Sequence, residues 1–387
     1  MKVLFVPRGF PSINNPMSGN YEAVQAKALA AKGCHVSVLA IYPKPFYSLK
    51  NWKRISHRTV EDVSVYEGIY PSFPDKLFRL FRKIRNNFRN AAYHRIFERI
   101  VAEEGIPDIV HAHIVSFASL SIFMKDEKKL PFVITEHWSM MNRTVVPDWL
   151  RTVSQVYYKA DAVICVSQVL ADSLKKNFNV DSTVINNMVS NIFFKTKKIK
   201  RTDSTFKFIA CGAFRLNRIK GFDILVDAFA QANLPKNVTL TIVGDGPDRA
   251  FIESKIAEHQ ISNQIHLVGV KTPEEVSDLF CNSDCFVLSS RLETFSIVVI
   301  EAMAKGLPVI ATRSGGPETF LLPEHGMLVE KENVDELAHA MNKMIEHYTD
   351  YDSDEIRKYC YDHFSQDVIA DQIISVYNKV INKNLNR

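Results

Sequence analysis

The sequence predicts an α/β protein of two doubly wound domains, each a parallel sheet with helices on both faces, facing each other across a cleft. Three observations carry this. Apolar runs of strand length alternate with helix-like stretches, the pattern of parallel sheets buried on both sides. The series starts twice, at "KVLFVP" (2–7) and again at "KFIACGAF" (207–214). The chain of 387 residues is also long for a single core.

In the first series, "KVLFVP" is rich in strand formers and runs into a Gly/Pro/Asn-rich loop ending near Asn20. "YEAVQAKALAAKG" (21–33) reads as a helix stopped by Gly33, and "HVSVLAIY" (35–42) as the next strand. An irregular basic segment follows. Then "DIVHAHI" (108–114), "FVITEHW" (132–138) and "AVICVSQ" (162–168) are apolar runs that end in polar residues. The second series continues with the helix "GFDILVDAFAQA" (221–232), then "TLTIVGDG" (239–246), "IHLVGV" (265–270), "CFVLSS" (285–290) and "PVIAT" (308–312). Between the two series, "SNIFFKTKKIKRTDSTF" (190–206) lacks periodicity and reads as an interdomain linker, giving domains of 1–195 and 200–365. The tail "FSQDVIADQIISVYNKVI" (364–381) is an amphipathic helix with Val368, Ile369, Ile373, Ile374, Val376 and Tyr377 available to pack.

With 46% hydrophobic and 24% charged residues, the composition is that of an ordinary soluble protein. The N-terminal apolar run is short and has no small-residue cleavage site, so it reads as a strand rather than a signal peptide. No apolar run approaches the ~18 residues of a membrane span, and the expected location is cytoplasmic. The cysteines at 34, 165, 211, 281, 285 and 360 are scattered without CxxC spacing and read as buried free thiols. Charge is uneven. Residues 1–200 hold 29 Lys/Arg against 16 Asp/Glu, while residues 201–387 hold 19 against 27. Much of the excess lies in 76–99, where Phe78, Phe81, Ile84 and Phe88 recur at helical spacing among Lys76, Arg79, Arg82, Lys83, Arg85 and Arg89. This basic amphipathic helix either packs its apolar stripe on a core or meets an anionic lipid surface, and the two are compatible. No nucleic-acid partner is expected.

Several loops carry candidate chemistry. Gly19, before the first helix, allows backbone N–H groups to approach an anion, although a turn glycine explains it equally well. Neither G-x-G-x-x-G nor the Walker spacing occurs, which disfavours dinucleotide and NTPase sites. "AFRLNRIKGFD" (213–223) sets Arg215, Arg218 and Lys220 before a helix opening at Gly221, a place suited to a diphosphate, or simply to solvated charge. His111 and His113 share one strand face. A metal there would need further ligands that the sequence does not offer, and no metal is expected. His137 stands where a strand gives way to a loop, as a polar contact or an acid/base. "SIVVIEAMAKG" (296–306) reads as a helix ending at Gly306, with Glu293 before it and Glu301 within it. Buried carboxylates need partners, and sugar hydroxyls would supply them.

The E-x7-E stretch "ETFSIVVIE" (Glu293 to Glu301), followed by "AMAKGLPVIATRSGGPE", resembles the signature of family 4 glycosyltransferases, retaining enzymes of the GT-B fold with two Rossmann-like domains. The resemblance covers nearly the whole chain. "NPMSGNYEAVQAKALAAKG", "VHAH", "TEHWS", "VINNMVSNIFF", "FRLNRIKGFDILVDAF", "VGDGPDR" and "HLVGV" fall in the family's order. It implies a nucleotide-sugar substrate, no cofactor, and a last helix, about 366–387, that crosses back onto an acceptor-binding first domain. It places Glu301 on the nucleotide ribose and Glu293 on a hydroxyl of the donor sugar. Arg215 and Lys220 would hold the diphosphate, joined by backbone N–H groups around Phe295, Ser296 and Ile297 and, from the first domain, by Gly19. His137 would contact the sugar near its reacting carbon, and Val270 would pack the base. His111 and His113 are expected on the acceptor side. Phe214 and Ser296 stand where the family commonly has glycine, and Asn186 and Met188 where proline and glycine are usual.

The resemblance further implies hexosyl or N-acetylhexosaminyl transfer from a UDP- or GDP-sugar. The acceptor expected is a lipid-linked glycan of bacterial surface polysaccharide, met peripherally at the inner face of the plasma membrane. Cations and a helix terminus can stabilise a departing diphosphate without a metal. Sugar-nucleotide epimerases and glycogen-type phosphorylases share the architecture and stay in view. So does transfer to a soluble acceptor. A degenerate sugar-binding homologue would lack the Glu293, Glu301, Lys220 and Arg215 set that is present here.

Overall fold

The computed structural model describes residues 1–12, 18–46, 54–72, 82–142, 147–197 and 204–386. Lys76, Phe78, Arg79 and Phe81 of the basic stretch lie outside the described residues. The chain forms two units, Met1–Asn186 together with the chain from Gln366 onward, and Asn187–Ser365.

The first unit is built on eight strands: β1 (Lys2–Val6), β2 (His35–Pro45), β3 (Ser56–Val60), β4 (Val63–Ser72), β5 (Ile109–His113), β6 (Phe132–Glu136), β7 (Ala162–Cys165) and β8 (Thr183–Val184). Their order in the sheet is β3-β4-β2-β1-β5-β6-β7-β8. Only β3 pairs antiparallel; the other neighbours are parallel. β5 and β6 are buried along their whole length, as strands covered on both faces must be. The winding runs outward from β1 to β2, then reverses to β5 on the other side of β1. The C-terminal ends of β1 and β5 therefore flank the switch point at which doubly wound sheets bind ligands.

Residues 56–72, read from sequence as part of an irregular segment, form the β3–β4 hairpin. The turn is Glu61-Asp62, both left-handed at φ 47° and 64°. Two acidic residues replace the Asn-Gly type signal that marks such turns, and this hid the hairpin.

The second unit has six parallel strands: β9 (Phe206–Cys211), β10 (Val238–Val243), β11 (Ile265–Leu267), β12 (Cys285–Leu288), β13 (Val309–Thr312) and β14 (Gly326–Val329). Their order, β11-β10-β9-β12-β13-β14, puts the switch point between β9 and β12. Phe208, Leu240, Ile242, Val287 and Ile310 from the strands meet Leu225, Val226, Phe229, Leu337 and Met341 from the helices Phe222–Gln231 and Val334–Glu346 in one core. Each such side chain contributes roughly 1.5–3 kcal/mol on burial. The chain enters this unit at Asn187, ahead of the stretch read as a linker. Residues just before the undescribed 198–203 are tied to it. Lys305 Nζ donates to Thr196 Oγ1 at 2.7 Å, and Arg357 donates to Thr196 O at 3.1 Å and Ala304 O at 2.7 Å.

The C-terminal helix Gln366–Leu385 belongs to the first unit and packs on the helix Asn20–Ala31. It buries Ile369, Ala370, Ile373, Val376, Tyr377 and Val380. The Tyr377 hydroxyl lies 2.6 Å from His111 Nδ1, deep under the sheet. Ending the chain at Ser365 is therefore expected to lower the melting temperature of the first unit in calorimetry. Tyr377→Phe alone, which strands a buried imidazole nitrogen, should cost about 1–3 kcal/mol. An unchanged transition in the truncated chain would show that the helix adds nothing to that core.

Candidate active site

In the second unit, the loops after β9 and β12 are stitched together. Gly221 is left-handed at φ 62°, and a Cβ placed on it would stand 2.0 Å from the Ser289 carbonyl oxygen. Only glycine permits this approach. Around it, the Arg291 backbone N–H donates to Ile219 O at 2.8 Å and its Nη1 to Arg218 O at 2.6 Å. The Arg291 guanidinium also makes a forked pair with Asp223, at 2.8 and 2.9 Å. Ser289 Oγ donates to Lys220 O at 3.0 Å. Ser289, Arg291 and Asp223 went unremarked in the sequence, although "SSRLE" and "KGFD" hold them beside the residues that were singled out.

The stitching brings Lys220 Nζ to 2.7 Å from Glu293 Oε1, and Ser290 Oγ donates to the same oxygen at 2.7 Å. Glu293 is buried, and its own N–H donates to Ser314 O at 2.9 Å. Its charge is fully answered by protein. Glu301 is the opposite case. It is half-buried, its carboxyl makes no hydrogen bond or ion pair among the described residues, and burial alone pushes its pKa up to about 8. It lies close enough to Cys211, at the end of β9, to help raise that thiol's pKa after burial itself.

The other second-unit candidates fall in different surroundings. Arg215 is exposed and has no side-chain ion pair among the described residues. Arg218, read with it as a diphosphate cation, is instead held by Asp248 at 3.1 Å and lies 3.4 Å over the Phe251 ring. Phe214 is buried edge-on against Phe222, with centroids 5.0 Å apart. Phe295 is fully buried against Phe320 and Phe364, leaving only its backbone for any ligand. The helix read as 296–306 is shorter, Ile297–Met303. Ser296 precedes it at φ 79°, a left-handed position unusual for a residue with a side chain, and its buried Oγ has no hydrogen-bond partner among the described residues. Val270, after β11, is 65% exposed. The Asp-x-Asp spacing in "DYDSD" (350–354) belongs to the start of a helix. There Asp352 caps the helix Ser353–Phe364 and Asp354 pairs with Lys197.

In the first unit, Gly19 is left-handed at φ 66°, and a Cβ there would stand 1.9 Å from Gly9 O. The first turn that follows already holds the buried Glu22 carboxylate, which would oppose a second anion at those N–H groups. Burial raises the Glu22 pKa, and Arg8 works against the rise. His111 and His113 are fully buried, so their expected place on the acceptor side is not where the structure puts them. His111 spends both nitrogens internally, Nδ1 on Tyr377 and Nε2 on Thr135 Oγ1 at 2.6 Å. Burial lowers its pKa to about 3, and that of His113 well below the usual value, so both are neutral. Neither joins a metal-binding cluster of three or more His, Cys, Asp or Glu among the described residues. His137 is half-buried just beyond β6, with Nε2 at 2.9 Å from His113 Nδ1.

Glu136, not noticed in the sequence, holds that turn. Its Oε1 accepts the N–H groups of His137 and Trp138 at 2.9 and 2.8 Å; its Oε2 accepts Val115 N–H at 2.9 Å and the Tyr157 hydroxyl at 2.6 Å. The glutamate in "TEHWS" was its signal.

Residues 20–190 match the family model described as Glycosyltransferase Family 4, and residues 193–378 that described as Glycosyl transferases group 1. The chain belongs to the family 4 glycosyltransferases, and its fold is GT-B. It is 25% identical over 367 residues to TuaC, a glycosyltransferase of Bacillus subtilis assigned to teichuronic acid biosynthesis, covering 89% of each chain. Sucrose-phosphate synthase from Thermosynechococcus elongatus superposes with a TM-score of 0.76 at 19% identity, over 99% of this chain and 100% of that one. HepE of Anabaena, in complex with UDP and glucose, superposes at 0.73 and 19% identity, over 98% and 99%.

The isolated Glu301 carboxyl sets a pH dependence. Its folded pKa, about 8, lies above the ordinary 4.5, so the folded protein holds a proton that the unfolded chain gives up. Stability is then present in full below about pH 4.5 and drains away as pH rises toward 8. Glu301→Gln should remove that slope. Relative to wild type it should gain roughly 2–4 kcal/mol between pH 5 and 8.5, read as a growing difference in melting temperature. Parallel pH profiles for the two proteins would mean that Glu301 is charged and solvated.

Proposed function

We propose that this glycosyltransferase takes a UDP- or GDP-sugar as donor and transfers a hexosyl or N-acetylhexosaminyl group, with retention and without a metal, to a hydroxyl of a lipid-linked glycan. One observation carries the donor reading. The loops after β9 and β12, at the switch point of one sheet, hold a lysine paired with a glutamate, and the helix that follows carries Glu301, near enough to act on Cys211 together with Lys220 and without a hydrogen-bond or ion-pair partner among the described residues. Vicinal ribose hydroxyls donating to Glu301 would give it the partners it lacks. A diphosphate would draw on Lys220 and Arg215, with backbone N–H groups at Phe295, Ser296 and Ile297. Lys220 shifting toward the diphosphate would leave Glu293 to a hydroxyl of the sugar. From the first unit, the family resemblance assigns His137 to the sugar.

The chemistry follows from where charge develops. As the bond between sugar and phosphate lengthens, negative charge gathers on the leaving diphosphate and positive charge on the sugar ring. Cations already held in place stabilise the first without reorganisation. Retention, through a leaving phosphate that assists the acceptor hydroxyl on the same face, is taken from the family. HepE was crystallised with UDP and glucose, which supports a nucleotide-sugar donor here. The assignment of TuaC to teichuronic acid synthesis supports a surface-polysaccharide acceptor.

For the acceptor side, the net basic first half motivates docking on an anionic membrane. No helix among the described residues is long and apolar enough to cross one. The helix Arg82–Glu104 exposes Ile84 but half-buries Arg85 and Arg89, and burial lowers the Arg89 pKa, so its cations do not all face solvent. Each basic residue close to such a surface adds about 1 kcal/mol.

Three measurements test this. A thermal-shift and calorimetric screen of UDP- and GDP-sugars should find one stabilising donor, whose binding Lys220→Ala and Glu301→Ala each weaken by roughly 1–3 kcal/mol. Turnover should persist in EDTA; activity lost in EDTA and restored by Mn²⁺ would refute metal independence. In flotation, wild type should rise with anionic vesicles at low salt and separate as salt increases, while Arg82/Lys83/Arg85→Glu stays behind. Equal behaviour on neutral and anionic vesicles would remove the membrane docking and leave the donor site standing.

A further inference from the structure

Beyond the donor loops, the arrangement that demands an explanation is the imidazole stack where β5 and β6 end. His113 Nδ1 and His137 Nε2 are 2.9 Å apart, in rings inclined by only 17°. One proton occupies that contact, and it can belong to either ring. If His137 donates, the proton of His113 must sit on its own Nε2, which is buried and has no hydrogen-bond partner among the described residues. If His113 donates from Nδ1, the buried Nε2 is left only a lone pair. An unpaired N–H is the rarer and costlier orphan in a protein interior. The Phe5 and His111 rings, each with its centroid 4.4 Å from that of His113, close in around it.

The backbone on both sides is independently pinned. Ile114, directly after His113, is a β-branched residue at φ 64°, a conformation bulky residues take only when their surroundings impose it. Its N–H donates to Thr135 O at 2.9 Å, tying the end of β5 to β6. Glu136 holds the N–H of His137.

We propose that His113 is a positioning residue that donates from Nδ1 to Nε2 of His137 and so fixes His137 as the Nδ1–H tautomer. His137 is then a neutral hydrogen-bond donor with no open lone pair, and Nε2 does not serve as a base. The meaning of this for catalysis rests on the donor-site reading above: His137 would meet a sugar hydroxyl or a departing oxygen by giving a hydrogen bond, and would not take the acceptor's proton. The tautomer itself does not rest on that reading.

The test uses the ligand-free full chain, labelled with ¹⁵N only in histidine, and long-range ¹H–¹⁵N correlation spectra at neutral pH, assigned by removing single histidines. Wild type should show the proton of His137 on Nδ1. His113→Phe should release the lock, moving protonation of His137 wholly or partly to Nε2. His113→Asn places an amide N–H near the position of Nδ1–H and should restore the wild-type pattern. If His113→Phe does not fold, the wild-type and His113→Asn spectra decide alone. A wild-type His137 protonated on Nε2 overturns the proposal, as does a His137 pattern indifferent to His113→Phe. Where a donor has been found, His113→Phe should lower kcat tenfold or more at nearly constant donor KM, with recovery in His113→Asn; loss through KM alone also overturns it. The expected tautomer in a protein that turns over no nucleotide sugar would instead uphold the proposal and defeat the donor reading.

Discussion

The second unit's site depends on how closely two loops approach across the boundary between β9 and β12. Gly221 stands where any side chain would collide with the Ser289 carbonyl. Everything that gives the site its charge pattern follows from that approach. Arg291 reaches back to the carbonyls of Arg218 and Ile219, Ser289 reaches the carbonyl of Lys220, and the Lys220 ammonium lands on Glu293. Because the two strands are neighbours at the sheet's switch point, residues about seventy positions apart in sequence meet at one edge. The hydrogen bonds that clamp the loops use main-chain carbonyls and the half-buried Arg291 guanidinium rather than the candidate ligand-binding side chains.

The two units handle polar groups near their switch points in different ways. The second keeps carboxyls: Glu293 answered by a lysine, and Glu301 held to its proton by burial. The first keeps two buried rings, His111 and His113, neutral. His111 and His113 are held uncharged chiefly by burial, with His137 adding to both, and Glu136 takes four hydrogen bonds to remain buried. An anionic ligand gains from the first arrangement through cations and dipoles. A ring stacked on neutral imidazoles offers direction instead, since its one proton is placed by its neighbour.

Much of this was legible in the sequence because strand runs and the E-x7-E spacing depend on local order. β1, β2, β5, β6, β7, β9, β10, β12 and β13 each follow from a short apolar run, and Glu293 and Glu301 from their spacing around the helix Ile297–Met303. What escaped lacked a local signal. The β3–β4 hairpin turns on Glu61 and Asp62, which carry no glycine cue, and β8 is two residues long. Arg218 looked like Arg215 and Lys220 in the sequence. It differs because Phe251 and Asp248, about thirty residues on, give it a ring to lie on and an acid to pair with.

The histidines mark the point at which pattern stops predicting. Alternation in "VHAHI" correctly places His111 and His113 on one face, but a fully buried strand has no solvent face to point toward, so sharing a side says nothing of reaching a ligand. What decides their role is the partner, and for His111 that is Tyr377, 266 residues away on the last helix. A titratable group takes its chemistry from the atom across from it more than from the element that carries it. The same residue type therefore yields a sealed core ring at His111, a proton-placing ring at His113 and a half-buried ring at His137, at the ends of two adjacent strands.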